Sequence, residues 1–288
     1  MSDRNFRQRL EAQWSRGNFV CVGLDSEFSK IPKTAHRSGD GSGLIESGVN
    51  IFNTIYAFNR AIVEATKDLV CAYKPNMAFY EAIGYRGGLD ALRLTIEFVH
   101  QVAPDVPVIL DAKRADIGNT NTGYVQMAFD WLKADAITVH PYLGGEALQS
   151  FLERTDKGII VLCRTSNPGA GEFQDLSVDG ESLYRFVARR VANVWNKNNN
   201  CALVVGATYP DELRQVRGIV GDMPILIPGI GAQGGDVEKT VTAGKDSRGR
   251  GMIINSSRGI IFASPGADFA EAARRETDKL RKLINQYR

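Results

Sequence analysis

The feature that most limits what this chain can fold into is an alternation repeated eight times. Short apolar runs recur from end to end, at residues 19–25, 69–76, 107–113, 136–142, 158–166, 201–208, 224–231 and 251–258. Several are nearly continuous, such as Val108-Ile109-Leu110, Ile159-Ile160-Val161-Leu162 and Leu203-Val204-Val205. Runs of that kind suit parallel strands covered on both faces. Longer periodic segments lie between them, for example 89–102 and 181–196, each long enough for a crossover helix. Eight such units predict a closed (β/α)8 TIM barrel, a single domain over 1–288, in preference to an open doubly wound sheet. The polar residues come late in the runs: Asp25, Lys74, Asp111, Lys113, His140, Ser166, Thr208, Gln233 and Arg258. A barrel gathers such positions at one mouth, where barrel enzymes keep their sites.

Composition narrows the function. The net charge is +2 with both signs mixed along the chain, which argues against a nucleic-acid face. No apolar run approaches the roughly 18 residues of a membrane span. The polar start, Met1-Ser2-Asp3-Arg4, has no signal-like apolar core. Cys21, Cys71, Cys163 and Cys201 are scattered through strand-like runs, with spacing that suits neither zinc nor a disulfide framework. Reduced core thiols and a cytoplasmic location are the expectation. One segment, 26–48, is too long and too glycine-rich for an ordinary βα connection, so it reads either as a flap or as a tolerated insertion. Residues 267–286 read as a closing amphipathic helix.

The third run carries most of the chemistry. In Asp111-Ala112-Lys113-Arg114-Ala115-Asp116 the strand period puts Asp111 and Lys113 on one face. If that face is the barrel interior, each charge needs a partner, because isolated burial costs several kcal/mol. Lys74 closes a neighbouring run and Asp116 opens the next turn, so all four can form an alternating array. An ordinary rim ion pair is the plainer alternative. A lysine fixed between carboxylates stays protonated, which suits Lys113 to a general acid better than to a Schiff-base nucleophile.

The seventh run leads into Pro228-Gly229-Ile230-Gly231-Ala232-Gln233-Gly234-Gly235-Asp236. Gly229, Gly231 and Gly234 fit a G-x-G-x-x-G pattern, yet the next run ends in Arg258 rather than in an acid for a ribose hydroxyl. A loop after strand seven with an arginine after strand eight is a common barrel phosphate site. Backbone N–H groups at the helix start, Gln233 and Arg258 are the expected donors; a tight turn beside a surface arginine is the alternative.

Together these residues resemble orotidine 5′-phosphate decarboxylase, most closely the longer bacterial form of that family, the type 2 subfamily. The resemblance runs from Gly23-Leu24-Asp25 through Tyr73-Lys74-Pro75-Asn76 to Ser256-Ser257-Arg258-Gly259. It implies that Lys113 protonates the ring carbon as carbon dioxide leaves, with Asp111 beside the departing carboxylate and Lys74 completing the network with Asp116. It implies a homodimer, since Asp116 and Thr120 would reach into the neighbouring subunit's site. Asp25 would bind ribose hydroxyls, Ser166 the pyrimidine, and Gln233 with Arg258 the phosphate, with no metal or organic cofactor. The chain departs from compact members in the length of 26–48 and in Asn255-Ser256-Ser257-Arg258, where Gly-Arg is commoner.

The rival readings are a metal-assisted decarboxylase of a sugar phosphate, with Asp111 as one ligand, and an aldolase using Lys74 or Lys113 as a Schiff base. A silent nucleotide binder would lack the charge array. His36, His100 and His140 are far apart in sequence and carry little weight as catalysts.

Overall fold

A computed structural model describes residues 4–38, 45–46, 49–230 and 235–288. Eight parallel strands form the barrel: β1 (Val20–Gly23), β2 (Val70–Lys74), β3 (Ile109–Arg114), β4 (Ala136–Val139), β5 (Gly158–Arg164), β6 (Cys201–Val205), β7 (Ile225–Pro228) and β8 (Met252–Ser256). The hydrogen-bonded order runs β2-β1-β8-β7-β6-β5-β4-β3. Parallel bridges Tyr73↔Val108 and Asn76↔Asp111 bring β2 back to β3, so the sheet closes on itself. All residues of β1, β2, β4, β6 and β8 are buried, as continuous Val/Ile/Leu runs require when helices cover the outside and side chains fill the inside.

The strands stop two to three residues before the apolar runs do, except β3, which continues through Arg114. The reason is chemical. Residues past the ladder, such as Asp25, Ser166 and Arg258, leave the hydrogen-bonded sheet and line the mouth.

The longer helices are α1 (Phe6–Ser15), α2 (Ile51–Thr66), α3 (Asp90–Val102), α4 (Gly118–Val125), α5 (Leu183–Arg190), α6 (Pro210–Val220), α7 (Val237–Gly244) and α8 (Phe269–Tyr287). In α2 the buried set Thr54, Ile55, Phe58, Asn59, Ile62, Val63 and Thr66 follows the helical period, and Asn50 caps the start by accepting from the Asn53 N–H. Phe58 stacks on Phe262 and Phe269, which ties α2 to the α8 end of the chain. The stretch 181–196 divides: Glu181–Ser182 pairs with Ser177–Val178 as a small hairpin before α5 starts.

Segment 26–48 is only partly a glycine-rich loop. Its first part makes two single turns, Phe28–Lys30 and Lys33–Ala35, and buries Ile31 and Ala35 against the barrel. Residues 39–44 and 47–48 lie outside the described residues. The four cysteines are free and buried, and burial pushes the thiols of Cys21, Cys163 and Cys201 up to about 12. No helix among the described residues is long and apolar enough to cross a membrane.

The end of the barrel opposite the site is closed by α1. Trp14 donates its indole N–H to the Met252 carbonyl at 2.8 Å, and Phe6 packs where any side chain on Gly158 would sit. Beside it, fully buried Asp135 accepts from Arg4 at 2.8 and 2.9 Å, from the Val108 N–H at 2.8 Å, and faces His100 Nε2 at 3.3 Å. His100 is thus a structural partner far from the mouth. Burial works against the Asp135 charge, yet His100 and Arg4 outweigh it and hold the carboxyl at about 2. A depressed folded pKa means that this contribution is present above the ordinary carboxylate range and lost as pH falls from about 4 toward 2. Asp135→Asn is therefore expected to cost about 2 kcal/mol at neutral pH and to flatten the acid limb of the stability curve. Denaturant midpoints at pH 7 and pH 3 check this; an Asn variant that loses as much stability as the parent on acidification contradicts it.

Candidate active site

The mouth at the C-terminal ends of the strands holds a cavity of about 480 Å³. Asp25, Lys74, Asp111, Lys113, Ser166 and Arg258 all line it, so six of the residues singled out from sequence meet in one place.

Lys74 is the hub. Its side chain is 5% exposed, and its Nζ lies 2.8 Å from Asp111 Oδ2 and 3.9 Å from Asp25 Oδ1. Burial opposes its charge, but Asp111 and Asp25 outweigh that and raise its pKa above the ordinary lysine value. Asp111 also accepts from Lys113 Nζ at 2.6 Å and from the Thr138 hydroxyl at 2.9 Å. Burial penalises its ionised form as well, and Lys74 and Lys113 on either side nonetheless hold the carboxyl well below the usual range. The result is a row of alternating charge: Asp25, Lys74, Asp111, Lys113.

Lys113 does not reach Asp111 by ordinary strand alternation. Its φ is +49°, a left-handed conformation that costs a non-glycine residue about 1–2 kcal/mol, and the register between β3 and β4 shifts between Leu110 and Arg114. The Thr138 hydroxyl stabilises that bend by accepting from both the Ala112 and Lys113 N–H groups at 3.0 Å. Lys113 is thereby lifted out of the sheet, its side chain 50% exposed to the cavity side. Strain of this kind at a charged residue is characteristic of working sites. Thr138 itself was not anticipated from sequence; a hydroxyl inside the apolar run Ala136-Ile137-Thr138-Val139 was the only signal.

Asp25 Oδ1 and Asn255 Oδ1 are buried in the cavity wall and accept no hydrogen bond from the described residues. Close packing at this corner explains Gly23, where a Cβ would sit 1.8 Å from Ser257 Oγ. Asn76, Thr165, Asn167, Gln174 and Ser256 add to the polar lining.

One expectation changes. Asp116 does not join the array within its own chain: its Oδ1 accepts from the Ile117 N–H at 2.7 Å, its N–H donates to Asn121 at 2.8 Å, and neither it nor exposed Thr120 lines the cavity. The turn demanded by Lys113 redirects the chain away from the mouth. The helix after β7 is capped from within, since Asp236 accepts from the Lys239 N–H at 2.9 Å. Gly231, Gln233 and Gly234 lie outside the described residues. The ends of that loop are pinned by the Gly235 N–H to the Gly229 carbonyl at 3.1 Å. Arg258 faces the cavity from the end of β8 and forms no ion pair among the described residues. Thr208 is absent from the lining, and His140 belongs to an adjoining apolar cavity.

A closed parallel barrel with a lysine–aspartate row on its floor and an arginine at its rim is a (β/α)8-barrel enzyme of the kind that acts on small anionic molecules. The chain belongs to the orotidine 5′-phosphate decarboxylase / HUMPS family, whose sequence pattern matches residues 19–275. It is 49% identical to the orotidine 5′-phosphate decarboxylase of Ralstonia pickettii, over 98% of this chain and 99% of that protein. Among solved structures, Leishmania donovani OMP decarboxylase superposes with a TM-score of 0.80 at 34% identity, covering 98% of this chain and 99% of that one. Leishmania donovani UMP synthase superposes with a TM-score of 0.84 at 37% identity; the match covers 99% of this chain and 56% of that longer one.

Proposed function

We propose that this chain decarboxylates orotidine 5′-phosphate to uridine 5′-phosphate, with Lys113 as the proton donor. The observation that carries the reading is the unbroken row Asp25–Lys74–Asp111–Lys113 at the barrel mouth. Loss of carbon dioxide leaves a carbanion in the ring plane, with no attached carbonyl to delocalise it. A preorganised ammonium stabilises that charge as it develops and then delivers its proton to the same carbon. Asp111 orients Lys113 and keeps negative charge near the departing carboxylate. Lys74 anchors Asp111 and needs no reorganisation during the reaction, which is the economy of a preset electrostatic site.

Substrate contacts follow from the lining. The two buried cavity acceptors without a hydrogen bond from the described residues, Asp25 Oδ1 and Asn255 Oδ1, match the donor character of ribose hydroxyls. Ser166 faces the base, and Arg258 with Gln233 and the backbone around Gly231 and Gly234 takes the phosphate. Binding energy from the phosphate, remote from the reacting carbon, pulls the site closed around the ring. No cofactor is part of this reaction. With four unpaired interior thiols, the enzyme fits a reducing cytosol, where we place it.

The sugar-phosphate side of the family is the alternative, and Asp111 disfavours it, because both of its oxygens are already engaged by an ammonium, Oδ2 by Lys74 and Oδ1 by Lys113. Absorbance of orotidine 5′-phosphate is expected to fall with purified protein in excess chelator as fast as without it. Turnover of a keto-sugar phosphate that needs added divalent metal, with orotidine 5′-phosphate untouched, sinks the proposal.

A homodimer with shared sites belongs to the same reading. Asp116 and exposed Thr120 do not line their own cavity, and Ile117 beside them, with Tyr142 and Leu143 on the loop after the neighbouring strand β4, exposes apolar side chains suited to a second copy. Mixing Lys113→Ala with Asp116→Ala subunits is expected to restore part of the activity that each lacks alone, since a hybrid regains one intact site. No recovery after demonstrated subunit exchange counts against shared sites.

A further inference from the structure

The loop that follows β5 carries Ser166, and it is fastened at both ends. At the outer end, Arg164 lies against Asp175 through Nε at 3.0 Å and Nη2 at 3.1 Å, and its guanidinium sits 4.0 Å from the Tyr209 ring centroid. Inside that brace, the Gln174 amide meets Thr165 twice. Its oxygen accepts from the Thr165 N–H at 2.9 Å, and its nitrogen donates to the Thr165 hydroxyl at 2.9 Å. Ser166 then packs onto Gly206, where a Cβ would stand 2.7 Å from the Ser166 Cβ and 2.8 Å from its Cα. Gln174 and Leu162 are also common to two cavities: the polar one at the mouth and an apolar one of about 870 Å³ lined by Phe173, Tyr184, Phe186 and Trp195.

We propose that Gln174 is a positioning residue for recognition of the pyrimidine ring: its amide clasps Thr165, sets Ser166 against the base, and walls the polar pocket off from the apolar cavity. This deepens the nucleotide reading and rests on it. A side-chain amide suits the task because it satisfies one donor and one acceptor of the same residue at once. A loop fixed before ligand arrives loses less conformational entropy on binding. Gln174 acts on the base through Ser166, so the ribose and phosphate contacts of Asp25 and Arg258 are independent of it.

The test is calorimetric titration of uridine 5′-monophosphate and of ribose 5-phosphate into the parent, Gln174→Met, Ser166→Ala and the double variant. Methionine keeps the bulk of the wall and removes the clasp. Nucleotide affinity is expected to fall about tenfold in each single variant. Ribose 5-phosphate affinity stays within about twofold, which also reports an intact fold. The double variant is expected to be no weaker than the worse single one, because both changes remove the same contact. Thr165→Val, which deletes the hydroxyl at the other end of the clasp, gives the same pattern. Additive losses, equal loss of both ligands, or unchanged nucleotide affinity in Gln174→Met overturns the positioning role while the nucleotide reading stands. A folded parent that binds neither ligand overturns the nucleotide reading, and this inference with it.

Discussion

Lys113→Ala leaves a folded barrel that turns over orotidine 5′-phosphate about three orders of magnitude more slowly than the parent, or worse. General acid catalysis contributes about 10²–10⁴ in rate, and a preset charge at the reacting centre adds to it. Three decades correspond to about 4 kcal/mol of barrier. Stability barely moves, because the Lys113 side chain is half exposed and exposed pairs contribute at most about 1 kcal/mol. Asp111 keeps its bonds to Lys74 and Thr138. Affinity for the product nucleotide is therefore expected to change far less than kcat. A variant retaining a tenth of parental kcat refutes Lys113 as the proton donor, whatever its affinity.

Asp111→Ala damages both activity and fold. It strips Lys74 of its 2.8 Å partner and leaves only Asp25 at 3.9 Å beside a nearly fully buried ammonium. Breaking a buried pair from one side costs about 3–5 kcal/mol. The pH dependence changes sign as well. In the parent, the raised Lys74 pKa means that its contribution is fully present below about 10.4 and is lost only as pH rises through the folded value. The depressed Asp111 pKa means that its contribution is present above about 3.9 and is lost only in strong acid. Between those limits the pair adds a level term. Without Asp111, burial outweighs Asp25 and drives the Lys74 pKa below the unfolded value, so the variant is expected to gain stability as pH rises from 8 to 10. Denaturant unfolding of both proteins across that range measures the difference. Parallel curves contradict the assigned role of Asp111 as the counter-charge of Lys74.

Much of this architecture is legible in the chain because it is written in local patterns. Each β run announces itself by β-branched and leucine content, and six late polar residues from five of the runs do converge on one cavity. What escapes sequence reading is what depends on non-local contacts. The strand period predicts Asp111 and Lys113 side by side, but the contact they make comes instead from a left-handed Lys113 held by Thr138, a residue 25 positions away. No local pattern reports that bend. The same bend carries Asp116 off its own mouth. The Arg4–Asp135–His100 cluster joins three segments more than 30 residues apart, so its members read singly as ordinary surface charges. Asp236 reads equally well as a loop acid or as a helix cap, and only the Lys239 N–H decides it.

The central claim is that this site removes a carboxylate from a pyrimidine ring and replaces it with a proton. The most direct test is the parent protein with orotidine 5′-phosphate in deuterated buffer, with carbon dioxide and nucleotide product measured together. The account predicts one carbon dioxide per substrate consumed, and uridine 5′-phosphate carrying a single deuterium at the carbon that bore the carboxylate. Folded protein that leaves orotidine 5′-phosphate intact, or that releases carbon dioxide without forming the protonated nucleotide, contradicts it.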